Sequence, residues 1–147
     1  MSAYIHFFVR SDDKFIRLDT YSRSSMMFQE IAEEIPYEKV RCLKTLELED
    51  FRSCFETDID RRNDRIEELK RQKETIYSFN NSVREKLEAV REIDEQIDEE
   101  KEEAEELERC INFINGLIQI NRQNEVDNMI YCSYERFDPT VEDIVEE

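Results

Sequence analysis

Glycine is almost missing from this chain, with one residue in 147. Phosphate loops and dinucleotide turns use several glycines so that backbone amides can approach the ligand, so both common nucleotide fingerprints are excluded in their usual forms. Histidine also occurs once, as His6. That excludes the paired-histidine zinc protease motif and Cys₂His₂ zinc sites. The four cysteines, Cys42, Cys54, Cys110 and Cys132, form no CxxC pair and share no spacing with a histidine. Buried, reduced thiols are therefore expected rather than metal ligands or a disulfide framework. No apolar run approaches 18 residues and no signal peptide is visible, so the expectation is a soluble cytoplasmic chain without a membrane partner.

What the chain has in abundance is charge. Charged residues make up 40% of it, and the net charge is −17. The excess is uneven: residues 1–49 carry 7 bases and 9 acids, residues 50–122 carry 13 and 21, and residues 123–147 carry 1 and 8. Such a surface repels nucleic acid and anionic membranes directly, and favours solubility or a basic partner.

Residues 50–121 read as two helical runs split at Asn80-Asn81. In the second run Val83, Val90, Ile97, Ala104, Ile111 and Ile118 recur every seventh residue, with Ile93, Leu107 and Ile114 three after their neighbours. That is an a/d seam of the coiled-coil kind. The first run, Phe51, Phe55, Ile59, Arg62, Ile66, Leu69 and Ile76, keeps the period less strictly and contains one stutter. Folding back at the asparagines gives an antiparallel hairpin, an arm on the order of 40 Å long at 1.5 Å per residue. Facing residues whose numbers add to 159 then include Ile76 with Val83, Leu69 with Val90, Ile66 with Ile93 and Phe55 with Ala104. The same register sets Asp58 against Lys101, Arg61 against Asp98 and Arg65 against Asp94.

The ends of the chain read as β structure. Tyr4–Arg10 and Phe15–Tyr21 alternate around Ser11-Asp12-Asp13-Lys14, which predicts a hairpin with a four-residue loop. Both faces of the first strand are largely apolar, so it should be central or covered on both sides. Ser24 or Ser25 should cap a short helix from Met26 to about Glu34, which Pro36 follows. Alternation over Val40–Leu48 predicts a third strand, with a helix starting at Thr45 as its competitor; Asp50 would then cap the long helix. Asn115-Gly116 is a hairpin signal, yet the heptad stays in phase through it and favours unbroken helix. A loop over Asn121–Asn128, a strand over Met129–Phe137 and an acidic helix over Pro139–Glu146, capped by Asp138, complete the reading. The expected fold is α+β: a small antiparallel sheet, ββαβ plus a C-terminal strand, with a long inserted helical hairpin. It forms one domain over 1–147, in which 1–49 and 122–147 make a β-rich base and 50–121 the arm. Phe51, Phe55, Phe113, Leu117 and Ile120 exceed one narrow seam and should pack on the sheet.

Chemistry is sparse. His6 could serve Cys132 as a base, but a histidine satisfied by a neighbour within an apolar strand is the plainer reading. Glu99, Glu102, Glu103 and Glu106 have helical spacing on an outer face, where solvation competes with Ca²⁺ binding. Tyr21, Arg23, Ser24 and Ser25 could hold an anion, with ordinary capping as the simpler role. Near the turn, Lys73 is expected to face Lys86, and Tyr77, Phe79 and Arg84 to form an unsealed aromatic tip. From Glu92 to Glu108 eleven acids oppose Lys101 alone. Glu95, Glu99, Glu102 and Glu106 there form an acid stripe that could imitate a nucleic-acid backbone. No catalytic, cofactor or metal site is expected. The expected function is a non-enzymatic, self-associating interaction module with a protein partner, the alternative an acidic inhibitor occupying the basic cleft of a nucleic-acid-binding enzyme.

Overall fold

The computed structural model describes residues 3–79 and 82–145. It contains a four-stranded antiparallel sheet and two long helices packed together, an α+β architecture with a helical hairpin. The chain divides into two compact units, residues 1–53 with 110–147, and residues 54–109. The expected turn at Asn80-Asn81 lies outside the described residues.

In the first unit the strands β1 (Tyr4–Ser11), β2 (Lys14–Ser22), β3 (Val40–Cys42) and β4 (Ile130–Tyr134) are ordered β2-β1-β4-β3. The hairpin loop is tighter than its turn chemistry suggested: Ser11 pairs with Lys14, leaving Asp12 and Asp13 alone, and Asp12 adopts φ 56°. A positive φ at the first loop residue matches the right-handed strand twist, which a four-residue loop does not need. β1 is buried on both faces through Ile5, His6, Phe7 and Phe8. On one face Phe7 meets Tyr21 and Phe113 edge-on, with centroids 5.8 and 5.1 Å away, so the surplus aromatic of the second long helix does pack on the sheet. On the other, Phe8, Val40 and Tyr131 form a core joined by Phe15, Cys42 and Ile144.

α1 (Met26–Ile31) is capped by Ser25, whose Oγ accepts from the Phe28 amide at 3.1 Å; a 3₁₀ turn, Ala32–Glu34, extends it. The expected strand over Val40–Leu48 is corrected. β3 stops at Cys42, and α2 (Thr45–Ser78) begins five residues before Asp50. Leu48, Phe51 and Phe55 are buried at helical spacing while Leu46 is exposed, so the 3.6 period wins over the short alternation. The cap comes from far along the chain: the Asp127 carboxylate accepts from the Thr45 amide at the helix N-terminus. Hydrogen bonds from Thr45 hold its pKa below 3.8. α3 (Val83–Gln123) runs unbroken through Asn115-Gly116, and Asn115 Oδ1 accepts from Arg52 at 2.8 Å. The helix also takes up Asn121, read as loop, because its buried amide donates to Thr45 Oγ1 at 3.2 Å. The terminal helix shrinks to one 3₁₀ turn, Val141–Asp143, capped by Thr140 rather than Asp138. Asp143 accepts from the Thr140 amide and from Arg136 at 3.0 Å, and Val145 donates to Val40 at 2.9 Å, so the segment lies along β3 instead of coiling.

In the second unit Ile66, Leu69, Ile93 and Ile97 form the core, with Ile76 against it. The apolar period was therefore legible, but the charge register was not. Asp58 pairs with Arg62, Arg65 with Glu68, and Asp94 with Lys73 at 2.8 Å, partners other than the Lys101, Asp94 and Arg65 that the register set opposite them. Arg62 occupies a seam position and reaches Glu100 at 3.2 Å and also Glu103. Burial alone disfavours its charge, but the hydrogen bond to Glu100 and the charges of Glu103, Glu100 and Asp58 outweigh that and raise its pKa. A long cation inside the seam takes carboxylates further along α3 than the apolar register sets opposite it. The facing lysines are corrected likewise: Lys73 binds Asp94, and Lys86 donates to the Tyr77 carbonyl at 3.3 Å.

Two measurements check this account. Gly116 lies exposed in α3 with nothing within 4 Å of where a Cβ would stand. Gly116→Ala should raise stability by about 0.5–1 kcal/mol in urea denaturation, the gain for relieving glycine within a helix. Asp127→Ala should lower stability by about 1 kcal/mol, as loss of a helix cap does. Because the folded pKa of Asp127 is depressed, its contribution is present above 3.8 and lost as the pH falls through the folded value. The deficit of the variant should therefore shrink in acid; a deficit independent of pH would count against a carboxylate cap.

Candidate functional site

Among the described residues of the second unit, the large apolar side chains left exposed lie at the end of α2 and the start of α3. Tyr77 is 54% exposed, Phe79 53%, Val83 73% and Leu87 58%. Local chemistry fixes both helix ends there. Ser82 Oγ accepts from the Glu85 amide at 3.2 Å, an N-cap for α3, and Lys86 satisfies a last-turn carbonyl of α2. Val83 was expected to pair with Ile76 in the seam. Instead Ile76 packs on the core while Val83 faces solvent, because Lys86 lies closer to the helix interface and reaches α2.

Two shallow grooves lie in this region. One, of about 760 Å³, runs past Ile76, Phe79 and Ile93, with Arg71, Gln72 and Thr75 on its rim. The other, of about 500 Å³, follows α3 alone past Val83, Arg84, Leu87, Glu88 and Arg91. The expected tip residues thus divide: Phe79 lines the first groove and Arg84 the second. Val83 and Leu87 are the residues the sequence reading missed as surface. Leu87 falls outside the a/d positions, which was the available signal. Of the acid stripe, Glu95, Glu99 and Glu102 are exposed and Glu106 is half-buried. No three acidic, cysteine or histidine side chains converge in an arrangement able to hold a metal ion among the described residues.

The His6 pocket is of a different kind. It holds about 630 Å³ between Tyr4, His6, Arg17, Thr20 and Phe137. His6 Nδ1 and Thr20 Oγ1 are 2.7 Å apart, and the Arg17 guanidinium sits 4.1 Å over the Phe137 ring. Cys132 pairs with Phe7 and Ser133 with His6, so strand alternation puts the thiol on the opposite face of the sheet. Burial also pushes the Cys132 pKa up and keeps the thiol protonated. A histidine–cysteine nucleophile is therefore not assembled, and the neighbour-satisfied histidine stands. Cys110 is buried as expected, whereas Cys54 is exposed on α2. The Ser25 cap likewise gives the Tyr21–Ser25 cluster a structural role.

No helix among the described residues is long and apolar enough to cross a membrane. Comparison with family models, curated proteins and solved structures found no match.

Burial and the nearby Arg17 charge lower the His6 pKa below 6.5, with Glu135 opposing. A depressed folded pKa means that stability present above 6.5 is lost as the pH falls toward the folded value, since the unfolded chain takes the proton first. Thermal midpoints measured between pH 7.5 and pH 5 should decline, and His6→Gln should flatten that decline. An unchanged slope in the variant would assign it elsewhere.

Proposed function

We propose that this protein is a non-enzymatic protein-interaction module whose contact surface is the turn end of the helical hairpin. The observation carrying the reading is the exposure of Tyr77 and Phe79 at the end of α2 and of Val83, Arg84 and Leu87 at the start of α3. Aromatic and arginine side chains supply a large share of binding energy at protein interfaces, and adjacent exposed apolar groups seldom persist without a partner. The sheet offers less. Its β2 edge carries a bulge at Leu18 and charged Lys14, Arg17 and Asp19, and its β3 edge is three residues long and bridged by Ile144. Both devices discourage strand addition, which directs self-association to the helices.

A second reading, the acidic inhibitor of a nucleic-acid-binding enzyme, is favoured by exposed Glu95, Glu99 and Glu102 on one helix. It requires binding that salt abolishes and that is lost when Glu95, Glu99, Glu102 and Glu106 become Gln.

Affinity capture from the native host, with the intact chain and a Tyr77→Ala/Phe79→Ala variant as baits, separates the readings. Removing two aromatic anchors should weaken partner retention at least tenfold, the effect of about 1.4 kcal/mol, within the range for interface anchors. Equal recovery by both baits, with loss only in the glutamine variant, would transfer the contact to the acid stripe.

A further inference from the structure

The hairpin carries opposite charges on its two halves. Residues 70–91 hold six bases against three acids, in a chain of net charge −17, whereas residues 92–108 hold eleven acids against Lys101. On α3 the two halves share one face. At 3.6 residues per turn, Val83, Arg84, Leu87, Arg91, Asp98, Glu102 and Glu105 fall within an arc of about 100°, with Asp94 and Lys101 on its Val83 side. That arc borders the buried seam of Val90, Ile93, Ile97 and Ala104 at Val83 and turns away from it through Arg84, Leu87 and Arg91. The side chains of Arg84 and Arg91 are 89% and 82% exposed, each paired with an i,i+4 carboxylate, at 3.4 and 3.8 Å.

We infer that this face of α3 pairs antiparallel with the same face of a second copy, basic half against acidic half. The inference rests on the self-association in the reading above and names its surface. A two-fold contact repeats every interaction, so one patch must complement itself, and a face that changes sign along its length does so only when antiparallel. In the register where paired numbers add to 189, Arg84 meets Glu105 and Arg91 meets Asp98, each twice. Asp94, near the two-fold, is already neutralised by Lys73 at 2.8 Å within its own chain. Parallel pairing would set like charges together along the whole arc. A foreign basic partner would satisfy only the acidic half and leave Arg84 and Arg91 opposed.

The experiment uses the full-length chain and two charge-reversed forms, Arg84→Glu/Arg91→Glu and Asp98→Lys/Glu105→Lys. All four positions are exposed, so far-ultraviolet circular dichroism should be unchanged. Sedimentation equilibrium at low salt should show the parent dimerising, with the dissociation constant rising about tenfold or more between 0.05 and 0.5 M salt. Each reversed form alone should be monomeric, because its contacts become repulsive, and an equimolar mixture should restore a one-to-one dimer. A parent dimer unaffected by the reversals would overturn this surface and leave the self-association reading standing. A parent that stays monomeric at all concentrations would overturn both, while loss of partner capture by the Tyr77→Ala/Phe79→Ala bait would still identify a contact with a foreign protein.

Discussion

Antiparallel pairing of β4 with both β1 and β3 is the constraint on which the rest depends. β4 follows the long helices, yet it fills the centre of a sheet whose other strands precede them. Leu43 and Arg10 donate at 2.8 Å to Ile130 and Met129, so the chain returns after 86 intervening residues, 44–129, to the place it left. Two antiparallel helices meet that requirement with few loop residues, and two prolines and one glycine leave little other means. The closing contact is reinforced where the helices join the sheet. Asp127 caps α2, Asn121 bonds Thr45, and Arg122 meets Glu49 at 2.9 Å. Each bond joins residues more than seventy positions apart, and together they make the start of one helix depend on the end of the other.

The charge pattern contributes little to the stability of the hairpin. Exposed ion pairs contribute about 0–1 kcal/mol each, so pairs such as Arg91 with Glu95 do little to hold the hairpin. The apolar core of Ile66, Leu69, Ile93 and Ile97 does that. That division of labour explains why 40% charged residues coexist with a fold built on narrow apolar contacts.

How much of the candidate surface was legible depended on the range of the interaction. Tyr77 and Phe79 were readable as tip residues because they follow the last seam position before a break in the period. Arg62 was readable as a seam intruder, but not its choice of Glu100 and Glu103. A long side chain spans a full turn, so several carboxylates lie within reach and spacing alone does not rank them. Val83 left the seam and Lys86 changed partner for the same reason: near a helix end the last seam contact competes with a lysine that satisfies an orphan carbonyl.

The sequence by itself determined the periods, and with them the two helices, the β-hairpin, the continuation through Asn115-Gly116 and the doubly buried β1. These follow from local geometry, 3.6 against 2 residues per repeat, which every side chain in a run reports together. Tertiary structure decided where α2 begins, how the two arms register, and that His6 and Cys132 stand on opposite faces of the sheet. Those depend on single partners brought from distant positions, Asp127 for Thr45, Glu100 for Arg62 and Thr20 for His6. No periodicity encodes a contact made once.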